Sequence, residues 1–222
     1  KAEGLTVDEL REVVRAFNLA EKYRTPVIVL SDATLAHMSE KVRIPQKGEL
    51  KIIDRERPSC PPEEYLPYRQ EGSAVPPMAC FGDGYRWFVS GIIHDDTGFP
   101  VTNSPDMISA SIDHMLGKIS NNIADIQSWE EYRTDDADIV MLSAGLVSRS
   151  AKSAVDAARD EGIRIGLFRP VTLWPFPEKR FGELCEKAET VMTCEMNEGQ
   201  LAEIAAKFTD RSQRLIPVTQ DN

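Results

Sequence analysis

Asp138-Ile139-Val140-Met141-Leu142 is a short aliphatic run behind charged residues, and the pattern it opens repeats to the end of the chain. Helical spacing over 148–160 follows, then an apolar run from Ile163 to Phe168, a helix over 178–188, a run from Thr190 to Met196, and a helix over 200–208. Leu215-Ile216-Pro217-Val218 reads as a last strand. Short apolar runs without alternation fit strands buried on both faces, and strand–helix alternation at this spacing predicts a parallel, three-layer α/β domain with right-handed crossovers over 135–222.

The chain before that domain reads differently. Thr6-Val7-Asp8-Glu9 has capping-box spacing, and Leu10, Val13, Val14 and Phe17 recur at helical period, which predicts an amphipathic helix over about 6–23. Tyr23-Arg24-Thr25-Pro26 stops it. Val27-Ile28-Val29-Leu30, ending at Ser31-Asp32, has the pattern of a strand buried on both faces, which must join strands found later in the chain or missing from it. Residues 45–80 carry seven prolines among charged residues and read as an extended arm, either a surface loop or a segment that runs over a neighbouring subunit. Phe81-Gly82-Asp83-Gly84-Tyr85 reads as a turn into a short strand at Trp87–Ile93, and Ser104-Pro105 announces a helix running to about Ile126.

Composition bounds the function. With 26 Lys and Arg against 36 Asp and Glu, the 222 residues carry a net charge of −10. Nucleic acids and anionic membrane faces are bound by clustered cations, so both become poor partners. No run approaches the roughly 18 apolar residues of a membrane span, and the chain reads as cytoplasmic. Cys60, Cys80, Cys185 and Cys194 form no C-x-x-C pair and stand at no zinc-finger spacing, so no metal is expected on this chain. The chain starts at Lys1 without an initiator Met and stops directly after an apolar run, as a cut piece would.

Ligands of open α/β sheets bind beyond the C-terminal ends of the strands. Three loops converge there: Ser143–Ser150, Arg169–Pro177 and Asn197–Gln200. Ser148, Arg149 and Ser150 read either as an anion site at a helix N-terminus or as ordinary capping. Arg169 and Trp174 belong to a proline-stiffened loop that is either a buried plug or a subunit contact. Glu195, Asn197 and Glu198 could hold a polar ligand or cap a helix. His94 with Asp95 and Asp96 invites an acid–base or metal reading, but no third ligand stands at usable spacing. Fingerprints of hydrolases, P-loops and dinucleotide binding are absent from the sequence.

Several phrases resemble one family. Ala16-Phe17-Asn18-Leu19-Ala20-Glu21-Lys22-Tyr23-Arg24-Thr25-Pro26-Val27-Ile28-Val29-Leu30-Ser31-Asp32 is similar to the end of the pyrimidine-binding domain in the α subunit of 2-oxoacid:ferredoxin oxidoreductases. His94–Pro100, Ser148–Lys152, Phe168–Pro177 and Glu195–Leu201 resemble that subunit in the same order, nearest to its 2-oxoglutarate and branched-chain members. The resemblance implies a thiamine diphosphate enzyme that decarboxylates a 2-oxo acid, passes two electrons through iron–sulfur clusters to ferredoxin and transfers the acyl group to coenzyme A. It places the diphosphate and magnesium on the β subunit, and the clusters on β or a ferredoxin-like chain, with γ and δ subunits as further partners. It divides the chain into a pyrimidine-domain remnant at 1–44, an arm with a strand and helix at 45–134, and a domain resembling the transketolase C-terminal domain at 135–222.

The family's Tyr-Pro-Ile-Thr-Pro-like motif, activating carboxylate and Arg-Gly-Pro-Ser-Thr-Gly-like loop do not occur in this sequence. The resemblance puts them upstream of the segment matching Lys1. No catalytic residue is therefore assigned, and the expected role is assembly and enclosure of the site. A stand-alone binding module, or a structural remnant without ligand, stays open as an alternative.

Overall fold

The computed structural model of the chain describes residues 7–37, 39, 41, 43–70, 74–210 and 212–219. The capping-box residue Thr6 lies outside them. Two compact units result, Lys1–Leu30 with His37–Asn122 and Ser31–Ala36 with Ile123–Asn222. Among the described residues no helix is long and apolar enough to cross a membrane.

In the first unit, helix α1 (Val7–Tyr23) forms where the apolar spacing places it and ends with Lys22 in its last turn. Helix α3 of this unit covers Pro105–Ser120, while the five-residue helix α2 (Ala33–His37) falls mostly in the second unit. Ser104 Oγ accepts a hydrogen bond from Met107 N at 3.4 Å with Pro105 in the first turn, the N-terminal arrangement the sequence announces. The proline-rich arm is ordered by polar ties to α1. Asn18 donates through Nδ2 to Lys51 O (2.7 Å) and accepts from Ile53 N (2.8 Å), so one side chain imitates a strand neighbour. Glu21 accepts two hydrogen bonds from Arg55, at 2.5 and 2.6 Å. Further along, the Tyr65 ring meets Tyr85 and Trp87 edge-on, at centroid distances of 5.0 and 6.4 Å. At Gly98, φ is +90° and an added Cβ would lie 2.2 Å from Phe88 O, so only glycine fits.

Three expectations fail in this unit. Val27–Leu30 is extended but pairs with no strand among the described residues, and Ile28 and Leu30 stand 81% and 74% exposed. A buried strand exists only where neighbours take its N–H and C=O groups, and periodicity carries no information about whether they are present. Trp87–Ile93 forms no ladder among the described residues and bends at Gly91-Ile92, the nearest pairing being the isolated bridge His94↔Pro100. The helix expected to reach Ile126 stops at Ser120. Asn122 Nδ2 donates to Lys118 O at 2.9 Å, a side-chain competitor for the helical carbonyl, and a separate turn α4 (Ile123–Ile126) begins afterwards.

The second unit is built on a five-stranded sheet in the order β1-β3-β2-β4-β5, with β1 Trp129–Tyr132, β2 Ile139–Ser143, β3 Ile165–Pro170, β4 Thr190–Cys194 and β5 Arg214–Val218. β2, β3, β4 and β5 are parallel, as expected from residue 138 onward. β1 is not: it pairs antiparallel to β3, with Glu130 opposite Arg169 and Glu131 opposite Phe168, so the sheet is mixed. Trp129-Glu130-Glu131-Tyr132 lacks an apolar run because an edge strand needs none on its outer side, and the sequence pattern therefore passes over it.

Helices α5 (Val147–Asp160), α6 (Glu178–Cys185) and α7 (Gln200–Ala205) supply the outer layers. Alternation along β2 sends Val140 and Leu142 to one face, where they meet Phe168, Phe181, Leu184, Val191 and Leu201, and Met141 to the other, where it meets Ala151, Val155 and Leu167. So α6 and α7 cover one face and α5 the other, giving three layers. Fully burying one such Phe, Leu or Val contributes about 1.5–3 kcal/mol. Gly166 in β3 is required by close approach, since an added Cβ would lie 2.5 Å from Arg133 O.

Candidate functional site

After β2 the chain moves to β3 on one side, then returns past β2 to β4 on the other. The order of strands therefore reverses between β2 and β4, and the crevice of an open α/β sheet lies at the C-terminal ends of such strands. Two loops enter there, the one leading from Ser143 into α5 and the one leading from Cys194 into α7.

At both helix N-termini in this crevice a carboxylate of the chain accepts backbone N–H groups, one at α5 and two at α7. At α5, Asp32 Oδ2 accepts from Leu146 N at 3.1 Å, and Gly145, with φ of +59°, carries the backbone past it. At α7, Glu195 is 6% exposed and accepts from Leu201 N (2.7 Å) and Ala202 N (2.9 Å). A carboxylate beside free N–H groups complements the positive end of the helix, so the anion positions are satisfied internally.

The candidate residues fall into place around these caps. Ser148 is buried and its hydroxyl donates to Gly145 O at 2.6 Å, which turns it into its own loop. Arg149 and Ser150 are exposed on the first turn of α5. Asp32 already accepts one N–H, that of Leu146, at this helix end. Asn197 Oδ1 accepts from Gly199 N (2.9 Å) and Gln200 N (3.3 Å), closing the turn before α7, where Gly199 adopts φ of +102°. Arg169 pairs with Glu130 across β1 and β3 at 3.0 Å, while its Nε is buried without an acceptor among the described residues.

The Leu173–Pro177 loop is divided between both readings weighed for it. Phe176 is 7% exposed and packs on Phe168, Phe181 and Phe208 at centroid distances of 6.4, 5.5 and 6.3 Å. Trp174, two residues earlier and joined to Pro175 by a cis peptide bond, is 72% exposed. The loop is tied to the segment before β1: Val171 N and Thr172 N donate to Ser128 O, and Thr172 Oγ1 donates to Ile126 O at 3.0 Å. One ring plugs the core, and the other faces outward on a fixed backbone.

His94 and Asp95, in the first unit, do not act on one another's side chains. The His94 ring lies on Tyr68 at a centroid distance of 3.9 Å, with Nδ1 3.1 Å from Asp95 O. Asp95 Oδ1 accepts from Thr97 N, Thr97 Oγ1 and Phe99 N at 2.9, 2.5 and 3.1 Å, and the Thr97 hydroxyl holds the carboxyl below its usual range. This is a closed turn, which corrects the acid–base reading.

Two groups escape a sequence reading. Asp32 follows a strand-like run, and acids at strand C-termini are the signal that marks it. Glu131 accepts from Arg180 Nε and Nη2 at 2.7 and 2.8 Å, from Thr134 Oγ1 at 2.8 Å and from Trp129 Nε1 at 2.9 Å. The Arg180 hydrogen bonds lower its pKa to about 2. No local pattern announces this clamp between β1 and α6.

Residues 6–114 match the family described as pyruvate flavodoxin/ferredoxin oxidoreductase, thiamine diP-binding, and residues 137–220 match pyruvate:ferredoxin oxidoreductase core domain II. Over 188 residues, 85% of this chain and 50% of the relative, it is 44% identical to the 2-oxoglutarate synthase subunit KorA of Methanothermobacter marburgensis. The ketoisovalerate oxidoreductase subunit VorB of the same organism is 34% identical over 85% of this chain and 46% of its own length. The chain thus spans about half the length of the curated relatives it matches. A solved 2-oxoglutarate:ferredoxin oxidoreductase from Magnetococcus marinus, with 2-oxoglutarate, coenzyme A and succinyl-CoA bound, superposes with a TM-score of 0.83 at 27% identity, covering 96% of this chain and 37% of that one.

Proposed function

We propose, on the premise that this chain belongs to the KorA-like α-subunit family of the 2-oxoacid:ferredoxin oxidoreductases, that it is a C-terminal portion of such a subunit acting on 2-oxoglutarate. The 44% identity to a 2-oxoglutarate synthase subunit carries the substrate reading. In this reading the whole enzyme works in the cytoplasm, decarboxylates the 2-oxo acid on thiamine diphosphate, transfers the acyl group to coenzyme A and reduces ferredoxin through iron–sulfur clusters.

The part taken by this chain is assembly and enclosure. The unpaired run Val27–Leu30 completes a sheet whose other strands belong to the rest of the α subunit, and residues 1–44 are the remnant of that pyrimidine-binding domain. Residues 45–134 form the arm. Residues 135–222 play the part of a transketolase C-terminal-like domain whose crevice is closed by Asp32 and Glu195, with Trp174 as an anchor for a partner chain. No residue of this segment is assigned a catalytic role.

Among the described residues no three His, Cys, Asp or Glu side chains could share an ion, the cysteines are free thiols, and burial pushes Cys185 up to about 12. In this reading magnesium is held by the β subunit, and the clusters by β or by a separate ferredoxin-like chain.

Anaerobic co-expression of the complete α subunit with its β subunit tests this. A brown complex whose reduction of a viologen dye requires thiamine diphosphate and coenzyme A, and is faster with 2-oxoglutarate than with pyruvate or 2-oxoisovalerate, supports it. A colourless, inactive monomer contradicts it.

A further inference from the structure

Arg24 follows the last residue of α1 with φ at +45°. That is the left-handed region, which costs a non-glycine residue on the order of 1 kcal/mol and which helix ends ordinarily fill with glycine. Here the strained position carries a large cation drawn inward. Nη1 donates to Pro67 O and Pro76 O at 2.7 and 2.8 Å, and the guanidinium lies 5.5 Å from the centre of the Tyr68 ring.

A second cation stands behind it. Lys118 of α3 donates through Nζ to Arg24 O at 3.1 Å. Burial lowers the pKa of both groups, and Arg24 lowers that of Lys118 further; His114 is lowered by its own burial and by both cations. Every protein acceptor on Arg24 and Lys118 is an uncharged carbonyl, and among the described residues no carboxylate pairs with either. Buried charges are ordinarily compensated, and among the described residues these two half-buried cations have no acid paired with them.

Arg24 also lines a cavity of about 290 Å³, together with Lys22, Tyr23, Arg55, Pro76 and Asn122. Arg55 is already held by Glu21, and Glu56, the acid on the wall, is exposed. We propose that this cavity is an oxyanion site for a phosphate group, with Arg24 as its main ligand and Lys118, outside the lining and bonded to the Arg24 carbonyl, adding positive charge from behind. Arg24 Nε and Nη2 donate to no protein acceptor among the described residues, and a guanidinium fork matches two oxygens of one anion. A phosphate dianion balances both charges, where a carboxylate would leave one uncompensated. The site lies wholly in the first unit and does not depend on the enzymatic reading above.

Calorimetric titration of the full chain, at ionic strength fixed with chloride, tests the assignment. One arm uses inorganic phosphate and the other adenosine 5′-monophosphate, which separates a free anion from a phosphate monoester. Saturable single-site binding is expected in at least one arm, weakened about tenfold by Arg24→Gln and severalfold by Lys118→Gln, with Lys152→Gln in the other unit unchanged. Arg24→Gln also removes the ties to Pro67 and Pro76. Arg24→Lys, which keeps the charge and loses the fork, is therefore expected to bind several-fold more weakly while melting cooperatively. Flat titrations in both arms, or binding that Lys118→Gln and Arg24→Lys leave at wild-type strength, would overturn the site.

Discussion

The Asp32 carboxylate accepts the backbone N–H of Leu146 at 3.1 Å, across 114 positions of sequence, and so caps a helix to which it is not locally attached. Asp32→Ala should cost about 1 kcal/mol of stability, and Asp32→Asn less, because the amide oxygen still accepts. The midpoint of urea unfolding reads this directly. A midpoint unchanged in the alanine variant would show that the cap contributes nothing.

Glu195 makes the equivalent cap from a buried position. Glu195→Ala leaves two N–H groups without acceptors and should cost about 1–3 kcal/mol. Amide exchange at Leu201 and Ala202 should accelerate selectively, while amides in β2 stay protected. Uniform loosening of the whole unit would point to a packing defect instead.

Glu131 ties the antiparallel strand to α6 through Arg180. Its folded pKa of about 2 lies below the ordinary 4.5, so the folded state binds this proton less readily than the unfolded chain. The stabilisation is complete above about pH 4.5 and is lost as pH falls toward 2. Glu131→Gln should therefore lower stability by about 2 kcal/mol at pH 7, after allowance for solvent at its partly exposed edge, with the gap to the wild type closing in acid. Thermal melts of both proteins across pH 2–7 would expose a gap that does not close.

Trp174 and Phe176 should separate stability from assembly. Phe176→Ala empties part of a packed aromatic core and should cost about 3–5 kcal/mol, whereas Trp174→Ala should change stability by less than about 0.5 kcal/mol. In the proposed complex the order reverses: the tryptophan variant should melt normally and dissociate more readily on dilution. Equal dissociation of wild type and Trp174→Ala would remove the ring from the interface.

The parallel half of the sheet was legible because Ile139–Ser143, Ile165–Pro170 and Thr190–Cys194 are buried on both faces, and continuous apolar runs record that burial. Trp129–Tyr132 was not, since an edge strand is specified by its neighbour and by the Glu131–Arg180 clamp. Val27–Leu30 carries the same apolar signature as the central strands yet pairs with no strand among the described residues, because the signature records a demand for neighbours and not their supply. At the candidate site, residue types drew attention to the loops but carried no information about which groups meet there. Asn197 accepts N–H groups at the turn before α7, Ser148 donates into its own loop instead, and the carboxylate of Asp32 reaches its helix only through the fold.

The exposed strand-like run is where the proposed role can be tested most directly. Hydrogen–deuterium exchange at the amides of Val27–Leu30 should be measured in the isolated chain and in the assembled α–β complex. Rapid exchange in the isolated chain and strong protection in the complex are the predicted results, since assembly supplies the missing strands. Equally rapid exchange in both states would contradict the account of this chain as a completing piece of a larger subunit.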